Sequence, residues 1–317
     1  MTKKPKVVVI AGPTACGKTS LSVDLALSLE GEIINADSMQ VYRGMNVGTA
    51  KPTIQEQKGI HHHLLDVVDP DEEFNAAIYR TMALPVINEI CSRGKNCFVV
   101  GGTGLYIRSL QEGLFECPPV DTELRESLRR QCETYGSHAL HERLKNLDPE
   151  SADKIHPNDS VRVIRALEII HLTNRFPSNL IRMHRFNERP FDTLKLCLKV
   201  DREELYSRIN KRSSAMVKAG LVEETEQLLS KGYSPDLKPM KAIGYRHIIK
   251  YLKGDWSLEE AIRELQGDTR RYAKRQLTWF RADQEVIWVE AEDFELVLKK
   301  VKSFLSEEEV LNSIKKS

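Results

Sequence analysis

The stretch Gly12-Pro-Thr-Ala-Cys-Gly-Lys-Thr-Ser20 follows the apolar, β-branched run Val7-Val-Val-Ile10 and opens a segment of helical periodicity. Gly12-x-x-x-x-Gly17-Lys18-Thr19 completes a P-loop pattern in the context it requires, after a strand and before a helix. The glycines let the backbone curl so that several N–H groups face one centre, at a helix N-terminus that carries partial positive charge. Gly12, Pro13, Thr14, Ala15, Cys16, Gly17, Lys18 and Thr19 are therefore expected to cradle phosphates. Lys18 adds a full charge, and the Thr19 hydroxyl can ligate Mg²⁺. Cys16 has two readings: a small space-filler, or a thiol of lowered pKa at the helix N-terminus that a bound diphosphate would protect from alkylation.

A continuous apolar run such as Val7–Ile10 suits a strand buried on both faces of a parallel sheet. Similar runs recur at Glu32-Ile-Ile-Asn-Ala, Asn96-Cys-Phe-Val-Val, Leu194-Lys-Leu-Cys-Leu-Lys-Val and Val286-Ile-Trp-Val, with helical segments such as 19–29 and 76–92 between them. Alternation of this kind predicts an α/β fold, a P-loop NTPase-like parallel sheet flanked by helices and wound with right-handed crossovers. From 121 to 190 the alternation fails and helical patterns run throughout, at 123–130, 138–147 and 160–172, after Pro118-Pro119 and before Arg189-Pro190. We expect an all-helical insertion over 121–190 on a core of 1–120 and 191–317. Long amphipathic helices, including 258–280, follow.

The formal charge of +1 supplies no global field for nucleic acid, so any such binding rests on local basic patches. The six cysteines are dispersed without a C-x-x-C pair, which argues against a zinc site or disulfide framework and fits a reducing compartment. No run approaches membrane-spanning length, and the first apolar run is too short for a signal sequence, so the cytoplasm is expected.

A P-loop alone does not fix the reaction. The run Ile33-Ile-Asn-Ala-Asp37-Ser38 ends in an acid at the carboxyl edge of the sheet, where α/β proteins hold their ligands. Asp37 could meet Mg²⁺ through water, act as a base on an acceptor, or serve as a turn or N-cap residue. Thr103 follows Gly101-Gly102 at the end of another strand and could face the same edge or cap a helix. Arg208 and Arg212 share a helical face; Arg212 could close over phosphates or pair with Glu203 or Glu204.

The wider wording narrows the choice. Ala36-Asp-Ser-Met-Gln-Val-Tyr-Arg43, Gly48-Thr-Ala-Lys-Pro52 and Gly101-Gly-Thr-Gly-Leu-Tyr106 closely resemble the tRNA dimethylallyltransferases, also called tRNA isopentenyltransferases. The likeness continues through His156-Pro-Asn-Asp159, Arg162-Val-Ile-Arg-Ala-Leu-Glu168, Lys241-Ala-Ile-Gly-Tyr-Arg246 and Lys274-Arg-Gln-Leu-Thr-Trp-Phe-Arg281, in order along nearly the whole chain. This resemblance implies that the loop grips dimethylallyl diphosphate, that the five-carbon group passes to N6 of the adenosine 3′ of the anticodon, and that diphosphate is released. It implies Asp37 as the group that orients the amine and takes its proton, Thr103 beside the reacting base, Arg212 on the diphosphate and Mg²⁺ at Thr19.

Such an enzyme must draw the target adenosine out of its stack. The resemblance lines that channel with Asp37, Ser38, Met39, Gln40 and Thr103. It extends the tRNA contacts to Arg125, Arg162, Arg165, Lys241, Gly244, Tyr245, Arg246, Lys274, Arg275, Gln276 and Arg281, with the insertion against the anticodon stem. The basic run from Arg270 to Arg281 has Tyr272 and Trp279 interleaved, a pattern suited to unpaired RNA. His61-His62-His63 lacks acidic or thiol partners at ligand spacing. Three rivals share the loop: a small-molecule kinase, an adenylate isopentenyltransferase acting on free AMP, and a non-catalytic RNA-binding protein. Nothing in the sequence demands more than a monomer.

Overall fold

The computed structural model describes residues 4–115, 117–118 and 120–306. Pro119, half of the proline pair noted above, lies outside the described residues. In chain order the first elements are Lys6–Ala11 (β1), Lys18–Ser28 (α1), Gly31–Asn35 (β2), Ile54–Gln57 (α2), His62–His63 (β3), Ala76–Ser92 (α3), Asn96–Gly101 (β4) and Gly104–Glu112 (α4). Five helices follow: Thr122–Tyr135 (α5), Ser137–Leu147 (α6), Pro149–Lys154 (α7), Ser160–Thr173 (α8) and Pro177–His184 (α9). The chain then returns to Asp192–Lys199 (β5), Arg202–Lys218 (α10), Leu221–Ser230 (α11), Tyr245–Leu252 (α12), Leu258–Arg281 (α13), Val286–Glu290 (β6) and Phe294–Ser306 (α14).

Among the described residues the strands form one parallel sheet in the order β3-β2-β4-β1-β5-β6. Alternation of side chains sends Val7, Val9 and Ala11 into one apolar cluster and Val8 and Ile10 into another on the opposite face. Each of these residues is at most 2 % exposed, so burial contributes about 1.5–3 kcal/mol for each of the larger side chains. That is why a run with no polar alternation is stable here. β1 is central, and its carboxyl end opens directly into the Gly12–Thr19 loop.

The chain divides into two compact units. One contains residues up to Gln111 and from Arg189 onward, and the other is Glu112–Glu188. The helical unit thus begins ahead of the 121–190 interval read from the sequence. Its two ends lie together: a Cβ on Gly113 would stand 1.9 Å from Glu188 Oε1. On the sheet-bearing side, Arg189 N–H donates to Gln111 O at 3.0 Å.

Within the helical unit, Leu128, Leu140, Leu144, Val163 and Leu167 form an independent core. Its short helices are fixed by polar groups. Asp148 accepts from Ser151 N at the start of α7 and from Ser178 N at the start of α9. His141 Nε2 contacts the carbonyls of Ala152 and Ile155 at 3.0 and 2.9 Å.

Candidate active site

The loop is held open by its glycines. Gly12 has φ +146° and Gly17 φ +93°, and a Cβ on Gly12 would lie 2.8 Å from Cys16 Sγ. Gly17 caps α1 with no side-chain hydrogen bond, which leaves the first N–H groups of the helix available to an anion. Lys18 Nζ donates to the carbonyls of Gly12 and Pro13, at 3.0 and 2.7 Å. The Cys16 side chain is fully buried in the apolar cluster with Val8, Ile10 and Leu198, and its sulfur accepts from Lys18 Nζ at 3.8 Å. That burial favours the space-filling reading of Cys16 over the alkylatable thiol. Cys16 fills space beneath the loop, with Lys18 Nζ against its sulfur.

Arg212 reaches the loop from α10 and donates to the Thr14 hydroxyl. Burial pulls its guanidinium below the ordinary value, opposed by the charge of Asp37. The ion pair with Glu204 falls instead to Arg208, which also holds Glu292. Thr14, Lys18, Thr19, Asp37, Arg212 and Gln276 are among the residues lining a cavity of 560 Å³ at this edge of the sheet.

Beyond the end of β2 the chain turns sharply. Asn35 and Asp37 exchange hydrogen bonds, and Asp37 Oδ1 accepts from Met39 N–H at 2.8 Å. Asp37 is thus a turn residue as well as a cavity-lining carboxylate. Thr103 binds this turn: its N–H donates to Ala36 O at 3.1 Å, and its hydroxyl accepts from Ser38 N–H at 3.0 Å. Tyr272 hydrogen-bonds the same threonine, and burial raises its phenol pKa. The approach needs glycine, since a Cβ on Gly101 would stand 2.2 Å from Ala36 O. A second cavity of 270 Å³ shares Thr14, Asp37, Thr49 and Arg212 with the first. It continues over Ser38, Met39, Met216, Ile243, Arg246, Leu265 and Tyr272. Two compartments therefore meet at one carboxylate.

Gln40 lines the first cavity, with its amide donating to the carbonyls of Thr49 and Ala50. Several expected RNA contacts have other duties. Gly244 is buried and Tyr245 has no exposed surface, so neither is a surface contact; Tyr245 donates to Glu224 at 2.7 Å. Gln276 is 6 % exposed, with its amide engaged by backbone groups. In the helical unit, Arg125 and Arg165 both bind the fully buried Glu168, at 2.7 and 2.9 Å. Burial raises the pKa of that carboxyl, but the two arginines outweigh it and the net shift is downward.

Arg162 is exposed beside Asp159, Lys241 pairs with Asp236, and Arg246 pairs with Asp268 while lining the second cavity. Lys274, Arg275 and Arg281 are exposed on α13. Among the described residues none of these three forms an ion pair, and Arg275 lies over the Tyr272 ring. Sequence reasoning missed Glu224. Its carboxylate accepts from the N–H groups of Asn46, Val47 and Gly48, and so fixes the loop that brings Thr49 to both cavities.

A parallel α/β sheet, a P-loop at its central strand and an acid beside a second compartment define a P-loop protein that works on a phosphorylated donor and a separate acceptor. The IPP transferase family model matches residues 40–283. Over 287 residues the chain is 52 % identical to the tRNA dimethylallyltransferase of Geobacter sulfurreducens, covering 90 % of this chain and 92 % of that one. The crystal structure of the tRNA isopentenylpyrophosphate transferase from Bacillus halodurans matches with a TM-score of 0.72 and 42 % identity, over 98 % of this chain and 100 % of that one. A eukaryotic dimethylallyltransferase captured acting on tRNA matches with a TM-score of 0.82 and 31 % identity, over 96 % of this chain and 80 % of that one. The chain belongs to the IPP transferase family.

Proposed function

We propose that the chain transfers a dimethylallyl group from dimethylallyl diphosphate to N6 of the adenosine 3′ of the anticodon in tRNA, with release of diphosphate. The observation that carries this reading is Asp37, which lines both the phosphate-side cavity and the adjoining one. A donor and an acceptor in these compartments would meet at its carboxylate.

The chemistry follows from those positions. The N6 lone pair is delocalised into the purine ring and is a weak nucleophile. As N6 bonds to the donor's first carbon, the carbon–oxygen bond breaks and its electron pair leaves with the diphosphate. Asp37, its Oδ1 steadied by Met39 N–H, accepts the N6 proton, an effect worth about 10²–10⁴ in rate. Charge developing on the leaving group meets the N–H groups of the loop, Lys18 and Arg212. Thr103, tied to the Asp37–Ser38 turn, would hold the base in register.

Thr19 and Asp37 line one cavity and offer it a hydroxyl and a carboxylate. This donor set fits Mg²⁺, which takes few protein ligands and relies on phosphate oxygens. Bound there by Thr19, the ion would neutralise charge on the diphosphate. We take tRNA as the macromolecular substrate and a monomer as the acting species. A cytoplasmic location accords with that substrate. Among the described residues, no helix is long and apolar enough to cross a membrane.

Labelled dimethylallyl diphosphate, offered with tRNA or with AMP, and ATP offered with small acceptors, discriminate the rivals. Label in tRNA as an N6-modified adenosine is expected. Label in AMP alone, or phosphate transfer from ATP, would overturn the reading.

A further inference from the structure

We propose that Gln276 is a positioning residue that locks the diphosphate loop to the acceptor-side strand end. The inference rests on the transferase reading above. β1 and β4 are paired in register up to Ala11 and Gly101, and the ladder ends there. One residue past β4 and three past β1, the side-chain amide of Gln276 takes over. Its Oε1 accepts from Thr14 N–H at 2.9 Å, and its Nε2 donates to Gly102 O at 2.9 Å. A primary amide presents one acceptor and one donor side by side, as a peptide group does, so Gln276 supplies a further rung between the two diverging loops.

The approach is built for this amide. A Cβ on Gly102 would lie 2.1 Å from Nε2, so only glycine fits. Gln276 is buried, and its helix is fixed by Ala273 and Phe280 on either side in the cores. Each loop then carries chemistry outward from the rung. Thr14 receives Arg212, and Gly102 precedes Thr103, whose hydroxyl receives Ser38 N–H. A single side chain therefore sets the separation between donor and acceptor. Bond formation is sensitive to that separation, with misplacement by about 1 Å costing on the order of 10²-fold.

Gln276→Leu keeps the bulk and removes both bonds. We expect kcat in single-turnover tRNA prenylation to fall at least about tenfold, while tRNA affinity and inhibition by inorganic diphosphate each stay within about threefold of wild type. A kcat within about threefold, or a loss confined to tRNA affinity, overturns the proposal. Gln276→Glu provides a second readout should the leucine variant fold poorly. Ionised, it accepts from Thr14 but turns an oxygen against Gly102 O; protonated, it restores both bonds. Its kcat deficit against wild type should shrink by about tenfold between about pH 8 and pH 6: the facing Gly102 carbonyl, burial and the nearby Asp37 favour the protonated form over the opposing charges of Lys18 and Arg212 in the same cavity. A ratio that stays flat with pH contradicts the proposal. Wild-type enzyme in the same assay keeps the two questions apart: no prenylation at all defeats the transferase reading, not the role of Gln276 within it.

Discussion

The Tyr245 hydroxyl donates to Glu224 at 2.7 Å, and Gly48 lies so close to the same ring that a Cβ there would stand 2.4 Å from it. Glu224 also takes the N–H groups of Asn46, Val47 and Gly48, at 2.8–3.0 Å. One carboxylate and one phenol thus hold the loop that carries Thr49 to both cavities.

Glu224→Ala leaves those three N–H groups without their acceptor, and we expect a stability loss of about 2–3 kcal/mol together with reduced kcat/KM. Tyr245→Phe removes one of four donors and should cost about 1 kcal/mol. Thermal unfolding beside prenylation kinetics checks both. Equal melting temperatures for Glu224→Ala and wild type would refute the anchoring role.

Arg212 is the cation aimed at the loop, while Arg208 is spent on Glu204 and Glu292. Arg212→Ala should lower kcat by about 10²–10³ and weaken the donor's binding, whereas Arg208→Ala should do much less. Steady-state kinetics with varied dimethylallyl diphosphate decides. Equal losses for the two variants would show that both arginines serve the donor.

Lys274 and Arg275 are exposed on α13 without an acidic partner among the described residues. Substituting either by Ala should weaken tRNA binding and reduce the slope of log affinity against log salt by about 0.7–0.9. Arg125→Ala should act differently, because its loss leaves the buried Glu168 with Arg165 alone. We expect it to cost stability first. Filter-binding titrations over a salt series, with unfolding curves, separate the two behaviours.

Glu32 is the second residue of β2, whose other end, Asn35, leads to Asp37. Hydrogen bonds from Arg93, then Lys95 and His63, outweigh burial and hold its carboxyl well below the usual carboxylate range. Burial lowers the imidazole pKa of His63, against the pull of Glu32. In both cases the folded state binds fewer protons than the unfolded chain, so stability is lost as pH falls. The loss should begin below about pH 6.5 through His63 and deepen below about pH 4.3 through Glu32. Glu32→Gln should lower Tm at neutral pH and flatten its fall below about pH 4.3, as measured by thermal scans across pH. Parallel curves for variant and wild type would refute the assignment.

Much of this architecture was readable because its central strands are uninterrupted apolar runs, which have no stable exposed face. Ala76–Ser92 matches the helix read from periodicity. What escaped has physical causes. His62–His63 is a two-residue polar strand whose existence depends on its neighbour, not on its own pattern. Helices α7 and α9 start on Pro149 and Pro177, residues that end helices as readily as they begin them. Tyr245 lies among basic residues in the sequence, yet Tyr245, Ile248 and Ile249 form the buried stripe of a helix with Arg246 and Lys250 outside. The same logic applies to Gln276, which falls in the buried series Leu265, Thr269, Ala273, Gln276 and Phe280. A polar residue inside an apolar stripe marks a partner within the fold before it marks a ligand. The hydrogen bonds of Glu224 join positions 46–48 to 224, a relation that no local window contains.

The most direct measurement of the central claim is diffraction from crystals grown with a thio-analogue of dimethylallyl diphosphate and an anticodon stem-loop. The account predicts diphosphate oxygens on the amides of the Gly12–Thr19 loop, with Lys18 and Arg212 on them and Asp37 within hydrogen-bonding distance of the adenine N6. An analogue seated away from that loop, or a purine amine remote from Asp37, would contradict it.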